Sequence, residues 1–221
     1  MDQPEIHKSL SHKIQAFQDQ LLPTIPQETL NTLIQELHGL VAKGIAEQAL
    51  NKGDKFPSFN LPSANDETRS LSDFLSNGPL IISFYRGAWC PYCNLEINAL
   101  QQRLPQIKAT GAQLVAISPQ LPDKSADQVN NSHLTFEVLS DTGNLLAKAC
   151  GLVFTLPEPL RPIYEAWEIN IPDHNGDNSF ELPIPASYIV DTTGKVRFAH
   201  VDMDYTKRLE PNIIIEQLTN I

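Results

Sequence analysis

SFYRGAWCPYCNLE, from Ser83 to Glu96, places two cysteines three positions apart where one type of local structure gives way to another. The residues that lead into it, Leu80-Ile81-Ile82-Ser83-Phe84-Tyr85, form a nearly unbroken apolar run, the pattern of a central strand buried on both faces. The residues that follow carry Ile97, Leu100, Leu104 and Ile107 at helical spacing. Pro91 suits the first helical position, which makes Cys90 the N-cap and puts Cys93 in the first turn. Free N–H groups and the positive end of the helix dipole stabilise a thiolate there. One helical turn separates the two sulfurs, so they can meet in a short disulfide, and a thiolate beside a resolving thiol is the equipment for redox cycling.

The competing readings are weaker. A structural zinc site takes four Cys or His ligands, and this pair supplies two. Cys150 has no His at ligand spacing, so no metal or other cofactor is expected. A purely structural disulfide is rare where thiols are kept reduced. Cys150 sits in the apolar stretch LLAKACGL and reads as a small buried hydrophobe.

Outward from this stretch, strands and helices alternate. Ala112 to Ser118 and Phe136 to Asp141 read as further strands, with a helix from Asp123 to Asn131 between them and a short helix from Gly143 to Cys150 after them. Pro105 is expected to kink or end the helix that starts at Pro91. Ala186 to Asp191 and Lys195 to Val201 flank Thr192-Thr193-Gly194, a hairpin signal, and NIIIEQLT closes the chain as a helix. Parallel crossovers followed by an antiparallel hairpin give an α/β fold, a central mixed β-sheet flanked by helices. Residues 152–184 break the rhythm with a proline-rich, turn-rich stretch, expected to be a long loop that decorates the surface or forms a rim beside the site.

Residues 5–50 look helical. Leu10, Ile14, Phe17 and Leu21 recur at helical spacing, Pro23 and Pro26 interrupt, and Leu30, Leu33, Ile34, Leu37, Leu40 and Val41 form a second apolar face. The expected organisation is a helical hairpin over residues 1–51, packed on a main domain over residues 52–221 or serving as a partner-binding arm.

The 221 residues carry 26 acidic and 16 basic side chains, a formal net charge of −10. That balance argues against a nucleic-acid or anionic-membrane partner. No apolar stretch approaches the roughly 18 residues of a membrane helix. The polar N-terminus lacks the features of a signal peptide, so a cytoplasmic location is expected.

The motif WCPYC after a buried strand resembles the active-site pattern of the thioredoxin superfamily, and PIPASYIVDTTG resembles the segment that carries its cis-proline. That likeness implies a thioredoxin-like fold, with Pro185 as the cis-proline facing the dithiol. GDKFPSFNLPSANDETRSLSDFL, GAQLVAISPQ and FEVLSDTGNLLAKACGL resemble the peroxiredoxins of the alkyl hydroperoxide reductase and thiol-specific antioxidant family. The resemblance covers about Lys52 to Leu218, with residues 155–184 as an insertion. The function it implies is a thiol-dependent peroxidase that reduces hydrogen peroxide or organic hydroperoxides. A thioredoxin-like reductant would recycle the disulfide, and a homodimer is a further expectation. Overlaid on the family motif Pro-x-x-x-Thr-x-x-Cys, Cys93 takes the peroxidatic position, Cys90 stands for the Thr and Arg86 for the Pro. The family's second active-site Arg falls near Pro185 and is missing, with Arg86, Arg161, Arg197 and Arg208 as substitutes. The peroxiredoxin overlay favours Cys93 as the sulfur that attacks peroxide. The thioredoxin pattern favours Cys90 for exchange with a protein disulfide, which is the alternative function; a redox-switched binding module is a third. The expected site is therefore Cys90 and Cys93, supported by Arg86, Trp89 and Pro185.

Overall fold

The computed structural model describes residues 9–65 and 67–220. Residues 5–8, the start of the expected helical arm, lie outside the described residues. In chain order the elements are α1 (Leu10–Leu21), α2 (Gln27–Ala42), β1 (Asn60–Pro62), β2 (Thr68–Ser70), α3 (Leu71–Leu75), β3 (Leu80–Phe84) and α4 (Pro91–Ala109). Next come β4 (Gln113–Ser118), α5 (Pro122–Ser132), β5 (Glu137–Ser140), α6 (Leu145–Ala149), β6 (Val153–Thr155), α7 (Arg161–Ala166) and α8 (Ile171–Asn175). The chain closes with β7 (Glu181–Pro183), β8 (Ala186–Val190), β9 (Val196–Val201) and α9 (Pro211–Leu218).

The central sheet has five strands in the order β5-β4-β3-β8-β9. β3, β4 and β5 run parallel, and β8 and β9 run antiparallel to their neighbours. Every residue of β3 is buried, and alternate side chains serve opposite faces. Leu80, Ile82 and Phe84 enter a core with Phe56, Phe74, Ile117 and Tyr188. Ile81 and Tyr85 enter a second core with Ile97, Leu100, Ile107 and Ile214, from α4 and α9. Each such side chain removed from water stabilises the fold by about 1.5–3 kcal/mol. The fold is thioredoxin-like, a central mixed sheet flanked by helices, as the sequence implies.

The structure corrects three expectations. Pro105 lies inside α4 and does not end it. Leu104 is 3% and Ile107 0% exposed, so burial on both sides of the proline holds the last turn in place against the lost N–H. Residues 152–184 are not a structureless loop. They fold into α7 and α8, and β6 pairs antiparallel with β7 to close the excursion at its base. Prolines 159, 162 and 172 fall in the first turns of helical segments, where a missing N–H costs nothing. Among the described residues there is no cis peptide bond, so Pro185 is trans. β7, paired with β6, leads into β8 of the central sheet through Ile184, whose N–H donates to the Leu152 carbonyl at 2.7 Å.

The two N-terminal helices pack on the rest of the chain, α1 against α4 and α2 against residues 158–160. Ser9 caps α1 through the His12 N–H at 3.2 Å. The Glu210 carboxylate, just before α9, accepts from the N–H groups of Leu10 and Ser11 at 3.1 and 2.7 Å. This is a cap supplied from the far end of the chain. Phe17 meets Tyr92 of α4 edge-on at 5.3 Å.

Candidate active site

The dithiol sits where β3 hands over to α4. Gly87 has φ +148°, and a Cβ there would lie 2.5 Å from the Trp89 indole nitrogen, so only glycine fits this loop. The Ala88 N–H donates to Gln120 Oε1 at 2.8 Å, and Asn94 donates to the Ala88 carbonyl at 2.7 Å. Gln128 in turn donates to Asn94 at 3.1 Å and accepts from the Tyr85 hydroxyl at 2.6 Å. A buried amide network thus fixes the loop from the side of α5. Cys90 is the N-cap and Pro91 the first residue of α4, and the Cys93 N–H donates to Cys90 Sγ at 3.4 Å. That is the arrangement the spacing predicts.

Two arginines then reach the two sulfurs. Arg86 Nη2 donates to Cys90 Sγ at 3.3 Å, and its Nη1 donates to the Tyr164 hydroxyl at 3.0 Å. Its guanidinium lies 3.9 Å from the Tyr205 ring centroid and 5.0 Å from that of Trp89. Arg208 Nη2 donates to Cys93 Sγ at 3.4 Å, while its Nη1 holds Glu96 at 2.6 Å. Of the four arginines weighed as substitutes, Arg86 and Arg208 are the two that reach the sulfurs. Arg161 instead stacks on Phe180 at 4.2 Å, and Arg197 pairs with Asp191 at 2.6 Å. Both are spent on local structure, away from the sulfurs.

The three cysteines are free, and Cys90 and Cys93 are each 0% exposed. Burial opposes ionisation of Cys90. The hydrogen bond from Cys93 and the charges of Arg86 and Arg208 outweigh it and hold this thiol well below its ordinary value. Burial pushes the Cys93 thiol up, and the hydrogen bond and charge of its neighbour push it further. The surroundings thus favour the charged form at Cys90 and the neutral form at Cys93. Cys150 is likewise pushed up to about 12 by burial, the behaviour of an inert core thiol.

Tyr164, Glu96 and Tyr205 were not singled out by the sequence. Glu96 carries a signal, since it stands three positions after Cys93 and shares its helix face. Tyr164 carries none: it arrives from α7, inside the segment read as a loop. Pro185 is buried, but it is not among the residues that hold the sulfurs or line the adjoining cavity. Among the described residues no group of three or more His, Cys, Asp or Glu is placed to hold a metal ion, and no helix is long and apolar enough to cross a membrane.

A thioredoxin-like sheet with a dithiol at the first turn of α4 defines a thiol oxidoreductase of the peroxiredoxin class. Residues 52–199 match the AhpC/TSA family, and the chain belongs to that family. A Mycobacterium tuberculosis relative that carries the peroxiredoxin name is 28% identical over 157 residues, covering 71% of this chain and 88% of its own. The chloroplastic Peroxiredoxin Q of Populus jackii is 33% identical over 103 residues, 47% of this chain and 48% of that one. In structure, Peroxidoxin BcpB from Mycobacterium tuberculosis superposes with a TM-score of 0.62 at 22% identity, over 78% of this chain and 98% of that one. α1 and α2 lie outside the matched family segment.

Proposed function

We propose that the chain is a thiol-dependent peroxidase that reduces hydroperoxides through a Cys90–Cys93 cycle in which Cys90 attacks first. One observation carries this reading: Cys90 Sγ collects the Cys93 N–H and the Arg86 guanidinium, and Arg86 forms part of the wall of an adjoining cavity. A peroxide that arrives there meets the guanidinium that holds the Cys90 sulfur directly behind the cavity wall. The Cys90 thiolate attacks the terminal oxygen of R–O–OH. The S–O bond forms, the O–O bond breaks, and the alkoxide leaves. Tyr164 is placed to protonate it: its oxygen already accepts from Arg86, which leaves its own proton free. Cys93 then condenses with the Cys90 sulfenic acid; the disulfide forms, and the thiol proton departs with the hydroxyl as water. An external dithiol protein of the thioredoxin type returns both thiols, in a reducing compartment such as the cytoplasm. In this proposal residues 52–221 are the catalytic domain and residues 1–51 an arm added to it.

A second reading makes Cys93 the attacker, and the Arg208 contact at 3.4 Å is the observation that favours it. In both readings two fully buried sulfurs suit a small peroxide better than a protein disulfide as oxidant.

Stopped-flow oxidation by peroxide across pH tests the reading. A Cys90 thiol held well below its ordinary value carries the plateau of the rate constant to lower pH than that of a free thiol. A rate no faster than a free thiol's, climbing tenfold per pH unit toward the ordinary thiol range, overturns it. Tyr164→Phe should slow oxidation on the order of 100-fold, the scale of a lost general acid, while Cys90 remains ionised at neutral pH.

A further inference from the structure

A cavity of about 300 Å³ lies between the N-terminal hairpin and the dithiol. Leu21 of α1 and Leu30, Leu33, Ile34 and Leu37 of α2 form its roof. Trp89, Pro91 and Tyr92 form its floor, and Tyr164, Trp167 and Ile169 close a side. Its walls are hydrocarbon and aromatic almost throughout, and its one charged group is Arg86, the residue in contact with Cys90.

That distribution describes an occupant with one oxygenated end and an apolar body. The end is fixed by the Arg86 guanidinium and by the Tyr164 hydroxyl that accepts from it. Along α2 the body meets hydrocarbon alone, and Gln18 is the one polar side chain that α1 adds to the lining. At about 30 Å³ for each water-sized unit, the space accommodates a chain of roughly ten methylenes. The roof explains two features of the hairpin. Its helix α2 has a continuous apolar face, yet only Leu40 of that face is buried. Ile34 is left 44% exposed beside the cavity, which a packed core helix would not do.

Resting on the peroxidase reading above, we propose that this cavity binds the hydrocarbon chain of a long-chain organic hydroperoxide, and that the N-terminal hairpin confers a preference for such substrates over hydrogen peroxide. The hairpin lies outside the segment matched to the family, so the preference is a property of this chain's own extension. The reaction is unchanged: the same S–O bond forms and the long-chain alcohol is the product.

The test has two arms on the full-length protein. In the first, 1-decanol, which bears an oxygen at one end but cannot oxidise a thiol, is titrated against the reduced protein while tryptophan fluorescence is read. Trp89 and Trp167 both line the cavity and report occupancy. A saturable change at micromolar decanol that weakens at least tenfold in Ile34→Trp supports the site; no saturable change overturns it. In the second, kcat/KM is measured for linear alkyl hydroperoxides of increasing length and for hydrogen peroxide. The value should rise up to about fourfold per added methylene until the cavity is filled, the factor equivalent to burying one CH₂. Ile34→Trp should lower the ratio of the long-chain value to that of hydrogen peroxide at least tenfold, whereas Gln35→Ala, at an exposed position of α2 that does not line the cavity, should leave that ratio unchanged. A flat dependence on chain length overturns the proposal. Decanol binding in a protein that reduces no peroxide would uphold the site and sink the peroxidase reading, so the two failures are distinguishable.

Discussion

Cys90→Ser should lower the rate of peroxide reduction by more than roughly 10⁴-fold, because the thiol whose surroundings favour the charged form is gone and burial opposes ionisation of the one that remains. Cys93→Ser should behave differently. The backbone N–H at that position still reaches Cys90 Sγ, and a serine hydroxyl replaces the thiol as a hydrogen-bond donor, so Arg86 and the N-cap continue to hold the thiolate. A single oxidation then proceeds, and the sulfenic acid persists for lack of a resolving sulfur. Intact-mass spectrometry after one equivalent of peroxide reads the outcome. One added oxygen on Cys93→Ser, and none on Cys90→Ser, is the expected pair of results. The reverse pair assigns the attack to Cys93 and gives Arg208 the part proposed for Arg86. With a dithiol reductant present, steady-state turnover is lost in both variants, since each lacks half of the disulfide.

The second large effect belongs to Arg208. Its guanidinium and the Glu96 carboxylate are 1% and 6% exposed and 2.6 Å apart. Arg208→Met leaves the carboxylate buried without its cation, a loss of about 3–5 kcal/mol of folding stability, measured as a lower denaturant midpoint. Burial already pushes the Glu96 carboxyl above its ordinary value, and Arg208 works against that shift. Without Arg208 the folded-state value rises further above the unfolded one. The protonated folded form is favoured, so stability is retained in acid and lost as pH rises through the folded-state value. Adding Glu96→Gln to Arg208→Met should remove most of that pH dependence. Because the two residues touch, the double variant should be more stable than the sum of the singles. A denaturation midpoint for Arg208→Met equal to that of the wild type would mean the pair contributes nothing to folding.

Much of the fold is legible because its signals are local. The apolar run of β3 announces burial on both faces, Gly194 at φ +83° closes the β8–β9 hairpin, and Pro91 marks the helix start that puts Cys90 at the cap. Other features were lost because long-range packing overrode a local rule. Pro105 breaks helices in isolation, but Leu104 and Ile107 anchor the turns around it. The prolines of 152–184 look like loop punctuation, yet several occupy first-turn positions where a helix tolerates them. Pro185 matched a family pattern, but the path from β7 to β8 runs through a trans bond.

By itself the sequence determined the strand–loop–helix unit, the dithiol at its cap, the mixed sheet and the helical arm, because spacing, periodicity and capping act over a few residues. Only the tertiary structure decided which side chains surround the sulfurs. Arg208 approaches from 115 positions beyond Cys93, and the Tyr164 hydroxyl meets Arg86 across 78 positions. Two identical thiols differ only in what the fold brings to them: Cys90 has the N-cap position and Arg86, which favour its charged form, and Cys93 has Arg208 but is pushed up by burial and by its neighbour. The motif specifies a reactive pair, and the electrostatics that separate its two members are a property of the assembled core.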